Sequence, residues 1–133
     1  MAYSHLLDTN IVSHLVRNPT GIVYRQLGSV GENNVCTSIV VACELRFGAQ
    51  KSGSHRLQHQ LEQILQLLPV LPLVSPVDIY YGDIRASLER NGIPIGPNDL
   101  LIAAHALALD AILVTTNLRD FERVSELRCA NWI

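Results

Sequence analysis

Apolar residues follow two rhythms along this chain: short unbroken runs that stop abruptly in polar residues, and longer stretches at three- and four-residue spacing. The run over residues 3–7 halts at Asp8-Thr9-Asn10, which predicts a buried strand, then a helix beginning near Ile11 with Ile11, Val12, Leu15 and Val16 inward. A turn at residues 17–21 leads to a second helix over 22–30, and residues 31–34 form a loop. Val35-Cys36-Thr37 is β-rich, and Ser38 is placed to cap a helix over 39–50. The polar residues 51–54 predict a mobile hinge before an amphipathic helix over 57–68. Pro69 and Pro72 interrupt the apolar run at 67–74, so a strand there is short or lies at a sheet edge.

The rhythm returns to helical spacing over residues 77–91, with Ile79, Tyr80, Ile84 and Leu88 expected inward and Asn91-Gly92 as the stop. Gly96 and Pro97 break the chain again, and Pro suits the first turn of a helix because its missing N–H is not needed there. From Asn98 the positions of Leu101, Ile102, His105, Ala106 and Leu109 predict a helix, and its alanines allow close packing. Residues 111–114 read as a buried strand, 115–121 as a polar segment and 127–132 as a last short strand. Strands alternating with helices imply a mostly parallel sheet covered on both faces.

At 133 residues this is expected to be one domain, residues 1–133. No apolar run approaches the ~20 residues that span a bilayer. The start lacks the basic region and long apolar core of a secretory signal, so the expectation is a soluble, cytoplasmic protein. Cys36, Cys43 and Cys129 have neither an even count nor metal-type spacing and are expected to be reduced core residues. A formal charge of −2 argues against a general basic surface for nucleic acid. Nine of the ten basic residues are arginine, so a local phosphate-binding rim remains open. Arg46 and Lys51 are the preferred phosphate contacts, and Tyr81 and Arg85 are placed to meet RNA or a partner. His105 is expected to be a packed helix histidine, His5 a strand residue, and His14, His55 and His59 surface groups.

Four acids stand in comparable places. Asp8 ends the first strand, Glu44 rides the helix after the second, Asp99 opens the helix before the fourth, and Asp120 follows the fourth. Each alone has an ordinary explanation: a helix N-cap for Asp8, a solvated face for Glu44, a dipole partner for Asp99. In a parallel sheet, however, the loops after the strands gather at one rim. Carboxylates meeting there would repel one another without a counter-ion. Hard divalent cations take such oxygen ligands, and Mg²⁺ is held by one or two carboxylates plus phosphate oxygens. That chemistry suits metal-assisted hydrolysis of a phosphodiester.

LLDTN, ACELRFG, IGPNDLLIAAHALAL and LVTTNLRDF resemble the signatures of VapC-type toxins, the PIN-domain ribonucleases of toxin–antitoxin pairs. The resemblance runs from Leu6 to Trp132, with all four motifs in order. It implies a three-layer α/β/α sandwich around a mostly parallel, short-stranded sheet and a Mg²⁺- or Mn²⁺-dependent endoribonuclease. Carried over by position, Asp8, Glu44 and Asp99 become the core acids, with Asp8 and Asp99 as metal ligands and Thr9 and Asn98 as supporting groups. Many PIN domains have an aspartate where Asn117 stands; here Asp120 takes the fourth position, and Asn117 can still hold a water or a phosphate oxygen. The resemblance further implies a structured RNA substrate, such as a transfer-RNA anticodon loop or a ribosomal-RNA loop, and a 5′-phosphate product. It implies a homodimer neutralised by a VapB-type antitoxin whose tail fills the acidic groove, with operator DNA reached only through that antitoxin.

Two rival readings belong to other classes. One is a catalytically inactive PIN-like module that binds RNA or protein, against which the four retained acids argue. The other is an aspartate phosphatase built on Asp8, which would want a second acid where the neutral Asn10 stands. No G-x-G-x-x-G or P-loop pattern supports a nucleotide-binding alternative.

Overall fold

In the computed structural model, which describes residues 2–133, the apolar runs become five short strands and the amphipathic stretches become the helices around them. In chain order these are β1 (His5–Leu7), α1 (Thr9–Arg17), α2 (Ile22–Val30), a 3₁₀ turn (Glu32–Asn34), β2 (Val35–Ser38), α3 (Ile39–Ser52) and α4 (His55–Leu67). Then follow β3 (Val70–Leu71), α5 (Val77–Arg90), α6 (Pro97–Leu109), β4 (Ile112–Val114), α7 (Leu118–Phe121) and β5 (Cys129–Ala130). The strands form one sheet in the order β3-β2-β1-β4-β5, every pairing parallel. With helices on its faces this is a three-layer α/β/α sandwich.

Register decides where the strands end. Leu7 pairs with Thr37 of β2 and Val114 of β4, so β1 and β4 stop level with one another and β2 runs one residue further, to Ser38. The next residues, Asp8, Ser38 and Thr115, are all buried at that rim. The central strands carry little but apolar side chains because both faces are covered: Leu6, Leu7, Val35, Cys36, Leu113 and Val114 are all buried. Beside them α6 buries Leu100, Ile102, Ala103, Ala104, His105 and Ala106. Its alanines let α5 and the sheet approach together, which fixes the direction in which its first turn points.

Several boundaries differ from the sequence pattern. Asp8 caps α1, so that helix starts at Thr9, two residues before its first apolar position. Residues 51–54 are not a hinge: α3 continues through Ser52, Gly53 adopts a left-handed φ of 66°, and the Ser54 hydroxyl accepts from Leu57 N–H at 3.1 Å to start α4. The prolines confine β3 to two residues at one edge, while β5 shrinks to two at the other. The polar segment after β4 contains the short α7, whose Phe121 is fully buried.

On α5 the buried residues are Val77 and Leu88; Ile79 is 60% exposed and Tyr80 half-buried, because α5 offers only a narrow stripe to α6. Cys43 is exposed on the outer side of α3 and Cys129 half-buried, leaving Cys36 as the one fully buried thiol of the three. Burial pushes the Cys36 thiol up to about 12. His14 is half-buried rather than a surface group, and its Nδ1 has no hydrogen-bond partner.

Candidate active site

The level ends of β1 and β4 build the centre of the site. Asp8 is 5% exposed. Its Oδ1 accepts from Thr9 N–H at 2.8 Å and its Oδ2 from the Thr115 hydroxyl at 2.7 Å. Burial raises the Asp8 carboxyl above its ordinary range; those two hydrogen bonds pull it back, and the charge of Glu44 adds to the rise. Thr115 is itself held, since its oxygen accepts from Asn117 N–H at 3.0 Å. The loop after β4 is therefore folded back onto the carboxylate that ends β1.

Glu44 reaches the same rim from the second turn of α3. Its Oε1 accepts from the Thr9 hydroxyl and its Oε2 from the Asn98 amide at 3.4 Å. Thr9 and Asn98 thus stitch α1, α3 and α6 together through one carboxylate. Asp99 follows Asn98 in the first turn of α6 and is half-buried. Its carboxyl is pushed up to about 6, first by burial and then by the charges of Asp8, Glu44 and Asp120. Asp120 completes the set from α7: its Oδ2 accepts from the Asn117 amide at 3.1 Å, and Arg123 stands 3.8 Å from its Oδ1.

The other three acids singled out by position therefore lie within electrostatic reach of Asp99; Thr9 bonds to two of the acids, Asp8 and Glu44, while Asn98 and Asn117 each bond to one. Thr115 escaped the sequence reading, which treated it as part of a polar segment. The available signal was its place, a hydroxyl directly after a buried parallel strand. Arg46 is turned elsewhere: its guanidinium grips Glu62 of α4 with contacts of 2.7 and 3.4 Å, in place of the expected phosphate contact. The Lys51 ammonium lies over the Phe47 ring, 5.9 Å from its centroid. His105 is buried and remains outside the acid cluster. Its Nδ1 meets the Ser38 hydroxyl at 2.8 Å, tying the start of α3 to the middle of α6, and burial lowers its pKa and keeps it neutral.

Among the described residues no three acids, histidines or cysteines are grouped closely enough to hold a metal ion by themselves. The site is instead an open, all-oxygen set of carboxylates that repel one another. That donor chemistry fits Mg²⁺ or Mn²⁺, which take few protein ligands and leave places for water and phosphate.

The PIN domain family pattern matches residues 5–127. The chain is 37% identical over 130 residues to Ribonuclease VapC2 of Rickettsia felis, covering 96% of this chain and 97% of that one. It is 38% identical over 128 residues to a tRNA(fMet)-specific endonuclease VapC of Shigella flexneri, covering 96% of each. Its fold superposes with a TM-score of 0.91, at 36% identity, on the structure of VapBC2 from Rickettsia felis bound to a DNA fragment from its promoter, over 97% of this chain and 98% of that one.

Proposed function

The chain belongs to the PIN domain family, and from that footing we propose that it is a metal-dependent endoribonuclease, the toxin of a type II toxin–antitoxin pair. The observation that carries the reading is the convergence of Asp8, Glu44, Asp99 and Asp120 at one rim, where burial first and then the charges of the other three raise Asp99 to about 6. A fold has no structural need for four like charges at one rim; a reaction on a phosphodiester has.

Asp8 and Asp99 are the residues that would hold Mg²⁺ or Mn²⁺, and the bound cation supplies positive charge for the phosphate oxygens in the transition state. The protein's own part is orientation. Thr115 and Thr9 fix both oxygens of Asp8 and favour its ionised form against the burial that raises its pKa. Thr9 and Asn98 fix Glu44. Asn117 holds Asp120 at the side of the site formed by α7. Water attacks phosphorus in line, the bond to the 3′-oxygen breaks, and the products are a 5′-phosphate and a 3′-hydroxyl.

The substrate of the reading is a structured RNA, with tRNA(fMet) first because a relative of 38% identity is named for it, and a ribosomal-RNA loop second. The partner is a VapB-type antitoxin, since the fold superposes on a VapC held in such a complex. DNA is met only through the antitoxin. An arginine from the antitoxin fits the acids, because its planar fork pairs with carboxylates. Ile39 and Phe47 of α3 and Ile79 of α5, all exposed, supply the apolar face for a homodimer. Among the described residues no helix is long and apolar enough to cross a membrane; the RNA substrate of this reading supports a cytoplasmic protein.

The test is cleavage of tRNA(fMet) and ribosomal-RNA loop transcripts in Mg²⁺, in Mn²⁺ and in chelator, beside Asp8→Asn and Asp99→Asn. Cleavage by the parent protein, lost in chelator and in both variants, is the expected result. A parent that cuts neither RNA, or variants that cut as well as it does, overturns the reading.

A further inference from the structure

A second concavity adjoins the acids. Between α5 and the start of α6 lies a cavity of about 270 Å³ whose walls are the Tyr81 ring, Pro94, Ile95 and Pro97, with Arg85 and Glu89 at its polar side. Small-molecule sites begin at roughly 300 Å³, so this one takes a single planar ring system rather than an extended ligand.

Two links join the wall of the cavity to the active site. Pro97 is the first residue of α6, and Asp99 lies two residues on, about 3 Å along the helix axis and on another side of it. On the other side, Arg123 donates to the carbonyl of Pro94 at 2.9 Å while standing 3.8 Å from Asp120. One wall of the cavity is thus tied to the acid cluster through a single guanidinium.

The aromatic wall is set in advance. Along α5, Arg85 donates to the Tyr81 hydroxyl at 3.0 Å and to Glu89 at 2.8 Å, so the ring is held by a chain of polar contacts one turn apart. Tyr81 also packs against the hydrophobic core. A ring fixed before binding loses little freedom when a ligand stacks on it. Aromatic side chains serve single-stranded nucleic acid in this way, because every base presents a π-face. The pair Arg85 and Glu89 adds a donor and an acceptor for a base edge.

From this juxtaposition we propose that the Tyr81 cavity receives the base of a nucleotide adjoining the scissile phosphate. The inference rests on the ribonuclease reading and adds to it a binding subsite. Binding there holds the RNA strand so that the phosphate next to the seated base lies over Asp99. Tyr81 is a substrate-binding residue in this scheme, outside the carboxylate chemistry.

The experiment uses the whole protein and a synthetic RNA hairpin carrying the mapped cut site. Tyr81→Phe keeps the ring but loses the hydroxyl that Arg85 holds, and is expected to raise KM by less than Tyr81→Leu does. Tyr81→Leu is expected to raise KM about tenfold with kcat little changed. The parent is also assayed on hairpins made abasic at either nucleotide flanking the cut. One of the two is expected to raise the parent's KM about tenfold, and on that hairpin parent and Tyr81→Leu become equal. This second arm decides the matter even if Tyr81→Leu folds poorly. Abasic hairpins that the parent cuts as readily as the intact one overturn the subsite, as does a Tyr81→Leu defect of the same size on every hairpin. A parent that cuts no RNA at all overturns the ribonuclease reading and the subsite with it.

Discussion

The hydroxyl of Thr115 donates to Oδ2 of Asp8 at 2.7 Å, joining the ends of β4 and β1 across 107 positions of sequence. Both residues are buried. Thr115→Val keeps the shape of the side chain and leaves a buried carboxylate oxygen without its donor, a loss of about 1–3 kcal/mol. Burial already raises Asp8 and the hydroxyl opposes that rise, so the variant's Asp8 carboxyl moves higher still. The loss of stability is then full near neutral pH and shrinks in acid, as Asp8 takes up its proton. The acidic limb of the cleavage profile moves to higher pH, and Thr115→Ser restores it. A limb that stays in place in Thr115→Val shows that this hydroxyl does not govern Asp8.

Asp99 sets two effects against each other. In the first turn of α6 a carboxylate gains roughly 0.3–1 kcal/mol from the helix dipole. Against this, its folded pKa of about 6 stands above the ordinary 3.8, so the native state binds the proton more tightly than the unfolded chain. The resulting penalty is absent below pH 4, grows between 4 and 6, and is complete above 6. A carboxyl held that far above its ordinary value costs the fold ~3 kcal/mol when ionised, and solvent screening at a half-exposed group reduces that to about 1 kcal/mol. Without metal, Asp99→Asn is expected to gain roughly 4 °C in Tm relative to the parent between pH 4 and pH 7. Added Mg²⁺ stabilises the parent and leaves the variant nearly unchanged. Calorimetry in chelator across that pH range reads the first effect; a difference in Tm independent of pH would contradict it.

Asp120 has Arg123 3.8 Å away as a partial counter-charge. Asp120→Asn is therefore expected to slow cleavage by ~10–100-fold, the range found when a supporting contact to a metal site is removed. Asp8→Asn and Asp99→Asn are expected to abolish it. Single-turnover rates for the three variants give the order, and an Asp120→Asn as inactive as Asp8→Asn would place Asp120 among the ligands.

Phe47 is 66% exposed and shares the outer side of α3 with Ile39 and Cys43. Apolar residues grouped in this way favour a covered face. Sedimentation at micromolar concentration is expected to show a dimer for the parent and a monomer for Phe47→Asp, with the melting temperature of the isolated chain little altered. A parent that sediments as a monomer rejects this face as a self-association surface.

The amino-acid order by itself determined the alternation of strands and helices, the parallel sheet and the edge position of β3. Each follows from local causes: the period of apolar positions, or a proline that cannot donate to a ladder. Position also singled out Asp8, Glu44, Asp99 and Asp120, because strand ends and a helix start are legible one segment at a time. Only the tertiary structure decided which of these groups meet, and through what. The pairing of Leu7 with both Thr37 and Val114 puts Thr115 beside Asp8, and no periodicity within either segment contains that register. The outward turn of Ile79 was hidden for the same reason, since burial on α5 depends on how narrow a stripe α6 covers. Arg46 points away from the acids because Glu62, sixteen residues on, lies across the α3–α4 turn. Local sequence sets what a segment prefers to be; which side chains touch is settled by pairings between distant segments, whose energies no single segment carries.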